Sequence, residues 1–449
     1  MEEIPYCVDS CELFERIRDL PFPAFLDSSF PLSTSGRFDI LTAQPGSTDV
    51  PALMPGATES QCREFFADID DFHRDYYDDV QPVSPDIPFC GGILGYLGYD
   101  AGKGLHNIPG ATSSAHFPAA QLCAYDWCIV QDHLLQRTAL VSQPSVTSHQ
   151  RQDLLARLRQ PIAISRNNFS LDGKFRSNVS ASEYQHAFKR IQAYIQAGDC
   201  YQVNLTQCFS APFSGDPWHA YRRLRSLAGA PFAAYLGLQN EASLMCLSPE
   251  RFLSLHGRRV ETSPIKGTRP RHPDPNSDEY AANELLGSRK DRAENLMIVD
   301  LLRNDLGRNC VPGSIHVDRL FDVQSFPTVH HLVSTISGEL ESNCSVWDLL
   351  RDCFPGGSIT GAPKRRAMEI IAELESHERA VYCGSVFYVS ADGRMDSNIA
   401  IRSLLYDQGE VRCWGGGGIV ADSDWQQEYQ EVYDKVGKFL HALEHLNAS

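Results

Sequence analysis

Apolar and polar positions change rhythm several times along the chain, and each change predicts an element. Residues 181–196 carry apolar groups at helical spacing and predict a helix. Residues 201–209 alternate apolar and polar and predict a strand. Residues 91–100 interleave glycines with large apolar groups, as strands packed closely on another backbone do. Residues 124–130 predict one further strand. Elsewhere residues 1–145 mix short apolar runs with turn clusters, such as those at 41–48 and 55–58. From Ser142 to about Ser180 Gln, Ser, Arg and Asn prevail, which predicts a linker with one helix near 153–158. No internal repeat occurs, and no steady β-α-β rhythm. The expected fold class is therefore α+β: two intertwined domains with facing antiparallel β-sheets and outer helices. The expected division is an N-terminal domain over residues 1–145, a linker over 146–180 and a second domain over 181–440.

Composition narrows the classes. The chain has 449 residues, 42% apolar and 22% charged, which suits a large buried core. No run of 18 apolar residues occurs, so no membrane span is expected. The acidic N-terminus lacks a secretory pattern. The 14 cysteines show no paired metal spacing; Cys7/Cys11 and Cys123/Cys128 have no matching pair. Free thiols in a reducing cytoplasm are the expectation. A formal charge of −17 argues against nucleic acid as a partner, so positive contacts to an anionic substrate must be local.

Five patterns in the second half carry candidate chemistry. Lys266, between Pro264-Ile265 and Gly267-Thr268, is placed where a strand meets a turn. An amine held there away from water can shed its proton and act as a nucleophile. The alternative is an exposed turn lysine. Glu294 shares a helical face with Met297, Ile298 and Leu301, at i, i+3, i+4 and i+7. A carboxylate on an apolar face needs a basic partner or a metal. Glu428 and Glu431, at i and i+3, share a face that suits a hard divalent cation or is simply solvated. In residues 354–364 the glycines have nucleotide-loop spacing, but Ala362-Pro363 fills the Lys-Ser/Thr positions, so a P-loop is rejected. What remains is a turn feeding a helix, with Pro363 at its first position and Ala367, Ile370, Ile371 and Leu374 as the buried stripe. Its N–H groups and Thr360 suit a carboxylate, unless it is an ordinary helix start. Residues 415–418 are four glycines, where a ligand can lie on the backbone or a loop can flex.

Taken together, residues 198–205, 247–252, 264–268, 291–295, 331–335 and 355–364 resemble the chorismate-utilising enzymes, in that family's order. The resemblance is strong over residues 180–440 and weaker over 10–140. Within the family it points to the aminodeoxychorismate synthases, because anthranilate synthases carry alanine where Lys266 stands. It implies that Lys266 attacks C2 of chorismate and expels the C4 hydroxyl, after which ammonia adds at C4. It also implies Glu250 as general acid/base, His331 near the reacting ring, and magnesium (Mg2+) on Glu294, Glu428 and Glu431. Thr360, Gly361, Tyr382, Arg402, Gly416 and Gly417 match positions that hold the substrate carboxylates. Gln202 stands where isochorismate and salicylate synthases carry a basic lysine, which argues against water activation. Ser263 departs from the arginine that many relatives have before Pro-Ile.

The resemblance extends to Ser28, Arg37, Pro231 and Phe232, a region where relatives hold tryptophan; core packing is the competing reading. No glutaminase unit is visible: no glycine-flanked nucleophilic cysteine is followed by His-x-Glu. Ammonia is therefore expected from a separate glutamine amidotransferase subunit or from solution. Two other functions stay open, anthranilate formation and a non-catalytic protein that binds chorismate or tryptophan. The set Glu250, Lys266, Glu294 and Glu431 speaks against the last, since a pure binder needs no nucleophile.

Overall fold

The computed structural model describes residues 1–33, 36–78, 80, 84, 86–108, 117–161, 168–326 and 329–446. Two antiparallel sheets organise these residues. The larger has 13 strands and runs Glu2–Ile4, Arg137–Ser142, Trp127–Asp132, Phe38–Thr42, Ala24–Asp27, Phe232–Gly237, Ser243–Ser248, Ser403–Asp407, Glu410–Ile419, Gln202–Ser214, Gly361–Ala362 along its main path. The smaller has nine: eight run Ile265–Pro270, Val329–Glu339, Arg259–Ser263, Arg251–His256, Met395–Asn398, Ser385–Ser390, Gly92–Leu97, Ala120–Tyr125, and His316–Ser325 pairs off this path with Val329–Glu339. Both sheets therefore mix strands from before residue 145 with strands from after residue 180. The fold is α+β, with the two halves interwoven by strand pairing.

Several elements fall where the periodicity placed them. Helix Ala181–Gln196 begins at a capping box of Ser180 and Glu183 and buries Tyr184, Phe188 and Ile191. Helix Arg289–Leu306 is capped by the Ser288 hydroxyl, which accepts from the Asp291 N–H. The linker helix is longer than expected, Ser148–Leu158, because Thr147 and Gln150 form a capping box upstream. Residues 162–167 of that linker lie outside the described residues.

Three expectations need correction. The single strand at 124–130 is two strands. Tyr125 pairs with Gly92 in the smaller sheet, whereas Trp127 pairs with Ser142 in the larger. The chain changes sheets at Asp126, whose carbonyl accepts from the Gln143 N–H at 2.7 Å. Residues 99–100 are not strand; they open the short helix Tyr99–Leu105. Pro363 is the cap of helix Lys364–Leu374, with extended dihedrals, and not its first residue.

Candidate active site

A cavity of about 860 Å³ opens where the two sheets meet, walled by residues of both and by helices Arg289–Leu306 and Trp425–Glu444. It gathers Glu250, Lys266, Glu294, His331, Tyr382, Arg402, Gly416, Gly417, Glu428 and Glu431 from segments far apart in sequence.

Lys266 lies inside strand Ile265–Pro270, not at a turn. The pairing with strand Val329–Glu339 slips between Lys266 and Thr268, which face Leu332 and His331. Gly267 makes this bulge with φ +74°, and a Cβ there would lie 2.7 Å from Leu285 Cδ1 and 2.9 Å from Asp291 Cγ. Glycine is therefore required, and the bulge re-aims its neighbours. The Lys266 Nζ reaches the cavity with one long contact, 3.5 Å to the Ser358 carbonyl. Burial lowers its pKa, opposed by the charges of Glu294 and Glu250.

Glu250 ends the tight connection between strands Ser243–Ser248 and Arg251–His256 and is 5% exposed. Its N–H donates to the Ser248 hydroxyl at 3.1 Å, and its carbonyl accepts from Ile399 at 3.0 Å. Burial raises its pKa from the ordinary carboxylate value, against the Ser358 hydroxyl and the Lys266 charge. The lysine is thus biased toward the neutral amine and the acid toward the protonated form. His331 Nδ1 lies 2.9 Å from the Thr268 hydroxyl. Burial, with the charge of Arg402, holds its pKa at about 3, so the ring is neutral at ordinary pH.

Arg402 has φ +53° and no ion-pair partner among the described residues. A guanidinium set into a wall without a counter-ion marks a place for an anion. Desolvation against the wall, with the charge of Arg402, brings Lys438 down to about 8, although part of its side chain stays exposed. The four glycines are the middle of strand Glu410–Ile419, paired antiparallel with Gln202–Ser214, and not a loop.

The three proposed metal acids share the cavity without converging. Glu428 accepts from the Ser423 hydroxyl at 2.7 Å, Glu431 is 2.6 Å from Lys435, and Glu294 is 3.9 Å from Lys290. Among the described residues no three acidic, histidine or cysteine side chains are close enough, as placed, to hold a metal. The donor set nonetheless suits a hard cation. It is all carboxylate oxygen, and the missing Cβ of Gly417 leaves room 3.2 Å from Glu428 Oε2 and 3.8 Å from Glu431 Oε1.

Other expected residues stand off the wall. Gln202 is fully buried behind Gly418, its amide without a hydrogen-bond partner among the described residues; a Cβ on Gly418 would lie 3.0 Å from its Nε2. Thr360 is fully buried, and its hydroxyl donates to the carbonyls of Gly356 and Gly357. Gly361 packs on the Gln202 carbonyl. Ser28 donates twice to Asp39, Arg37 pairs with Asp132 at 2.6 Å, and Phe232 lies under the Arg251 guanidinium. Ser28, Arg37, Pro231 and Phe232 are not among the residues that line the cavity. Sequence reasoning missed Asn204, Ser358, Lys290, Lys435 and Lys438, which do line it. Lys290 and Lys435 were legible as i, i+4 partners of Glu294 and Glu431. Ser358 carried no signal.

Known proteins resemble this chain over nearly its whole length. Residues 39–441 match the model of the chorismate binding enzymes. The chain is 44% identical to aminodeoxychorismate synthase component 1 of Klebsiella aerogenes, covering 99% of both chains. It is 43% identical to the protein of that name from Salmonella typhimurium, over 98% of this chain and 97% of the other. The solved structure of anthranilate synthase component I from Streptococcus pneumoniae superposes with TM-score 0.77 at 29% identity, over 91% of this chain and 93% of that one. With the family model spanning most of its length, this chain belongs to the chorismate-binding enzymes.

Proposed function

We propose that the chain is the chorismate-aminating component of an aminodeoxychorismate synthase, forming 4-amino-4-deoxychorismate on the route to 4-aminobenzoate. The observation that carries this reading is Lys266: an amine on a bulged strand, facing a cavity beside Glu250, with its pKa lowered by burial. Whole-length identity to aminodeoxychorismate synthase component 1 supports it.

The Lys266 amine, having released its proton, bonds to C2 of the ring. Both conjugated ring double bonds shift by one position, the C4–O bond breaks, and Glu250 gives its proton to the departing hydroxyl, which leaves as water. Ammonia then bonds to C4, both double bonds shift back, the C2–N bond to Lys266 breaks to free its amine, and the new C4 ammonium returns a proton to the Glu250 carboxylate. Arg402 holds a substrate carboxylate, and neutral His331 offers a hydrogen bond without adding charge. Glu294, Glu428 and Glu431 would hold magnesium, which when bound neutralises and orients a substrate carboxylate. The nitrogen comes from a separate glutamine amidotransferase, the partner that the word component in the relatives' names suits.

Product identification tests the reading. Chorismate, magnesium and ammonium at raised pH should give a product that becomes 4-aminobenzoate only when a lyase is added. Glutamine should serve only with the partner present. Fluorescent anthranilate from the chain alone would overturn the assignment, and untouched chorismate would leave a binding protein. With ammonia withheld, mass spectrometry should find the ring on Lys266.

A further inference from the structure

Helix Trp425–Glu444 carries Glu428, Glu431 and Lys435 at i, i+3 and i+7, on one face toward the glycine strand. The Lys435 Nζ is 2.6 Å from Glu431 Oε1 and donates to the Gly416 carbonyl at 3.0 Å. A Cβ on Gly417 would find Glu431 Oε1 and Lys435 Nζ both at 3.8 Å and Glu428 Oε2 at 3.2 Å. Two carboxylates and one ammonium thus border the space that a side chain of Gly417 would fill. Across the cavity Lys290 approaches Glu294 less closely, at 3.9 Å.

An exposed i, i+4 pair ordinarily contributes little. This one differs because the carboxylate it neutralises is one of those that suit a divalent cation. An ammonium and a doubly charged ion cannot share one carboxylate oxygen without strong repulsion. Resting on the proposed metal role of Glu294, Glu428 and Glu431, we infer that Lys435 is the resident counter-ion of Glu431, displaced when the divalent cation enters. The cation exchanges for the ammonium at Glu431, and Lys435 keeps the Gly416 carbonyl as its acceptor. Metal therefore binds against an internal competitor, and Lys435 lowers the affinity of the empty cavity for metal.

Calorimetric titration of magnesium chloride alone into the full chain tests this without turnover. Lys435→Met should bind magnesium about three- to tenfold more tightly than the natural chain, the size of one part-exposed ion pair plus the relieved repulsion. Lys290→Met should tighten binding less, since its pair is longer, and Lys435→Arg should stay near the natural value. The Lys435 side chain is 42% exposed, so the variant should fold, which its circular dichroism and melting curve check. Unchanged or weaker binding in Lys435→Met overturns the exchange. Equal tightening in both methionine variants overturns it too, because only a long-range field would remain. Magnesium that fails to bind the natural chain, or binds Glu431→Gln equally well, overturns the metal reading and this inference with it. Loss on Glu431→Gln together with no change in Lys435→Met fails the exchange alone.

Discussion

The N-terminal strands and the cavity both bury charge, and they treat it in opposite ways. Beneath the N-terminal strands, Asp27 accepts from the Ser29 N–H, the Tyr221 hydroxyl and two nitrogens of Arg225, all between 2.6 and 3.1 Å. Nearby, Asp39 accepts twice from Ser28 at 2.7 Å, faces His133 at 2.8 Å and holds Ser10. Every oxygen there has a protein donor. In the cavity, among the described residues, Lys266 has one hydrogen-bond contact at 3.5 Å and Arg402 has no ion pair. A charge satisfied from within holds strands together, whereas one left waiting is available to a ligand. Burial alone does not mark an active site; burial without internal satisfaction does.

The sharpest break of that contrast is Lys266→Ala. It should abolish amination by at least about a thousandfold, as loss of a covalent nucleophile does, while melting stays near that of the natural chain. Steady-state 4-aminobenzoate formation with excess lyase measures it; full activity would remove Lys266 from the chemistry. Arginine should not rescue, because it stays protonated.

Arg225→Met should do the reverse. It strands Asp27 without its counter-ion, so urea unfolding should show a loss of about 3 to 5 kcal/mol. Activity per folded molecule should hold. A drop in activity with unchanged stability would mean that the N-terminal cluster also serves the reaction.

Glu250→Gln keeps the shape and removes the proton. A fall of about a hundredfold in kcat is expected, with little change in melting. An unaffected rate would reassign the acid.

The smallest effect is on the pH profile. Lys266 is active when deprotonated, and burial lowers its pKa, so the rate should rise with pH through a midpoint below that of an exposed lysine. Glu250 is active when protonated, and burial raises its pKa, so the rate should fall with pH through a midpoint above that of an exposed glutamate. kcat/KM at constant free ammonia should therefore trace a bell, and Glu250→Gln should flatten its descending limb. A descending limb that survives that change belongs to another group.

Much of this was legible without coordinates. Helix 181–196 and the strand starting near residue 201 follow from periodicity and caps, which are local. The faces of the helices bearing Glu294 and the Glu428–Glu431 pair were legible too, since side chains three or four apart share a face. Glu250, Lys266, Glu294, His331, Arg402, Glu428 and Glu431, put forward from the resemblance, all line one cavity.

Tertiary structure alone decided where those residues face. The chain crosses between sheets at Asp126 because two different partners, Gly92 and Ser142, pair with adjacent residues, and pairing is not written in local alternation. Lys266 enters the cavity through a bulge set by the register of strand Val329–Glu339. Gln202 and Thr360 sit behind the wall because strand Glu410–Ile419 and the carbonyls of Gly356 and Gly357 lie against them. Sequence alone determined which groups were present and which shared a helical face. Contacts between residues hundreds of positions apart determined which were satisfied inside the protein and which were left for a ligand.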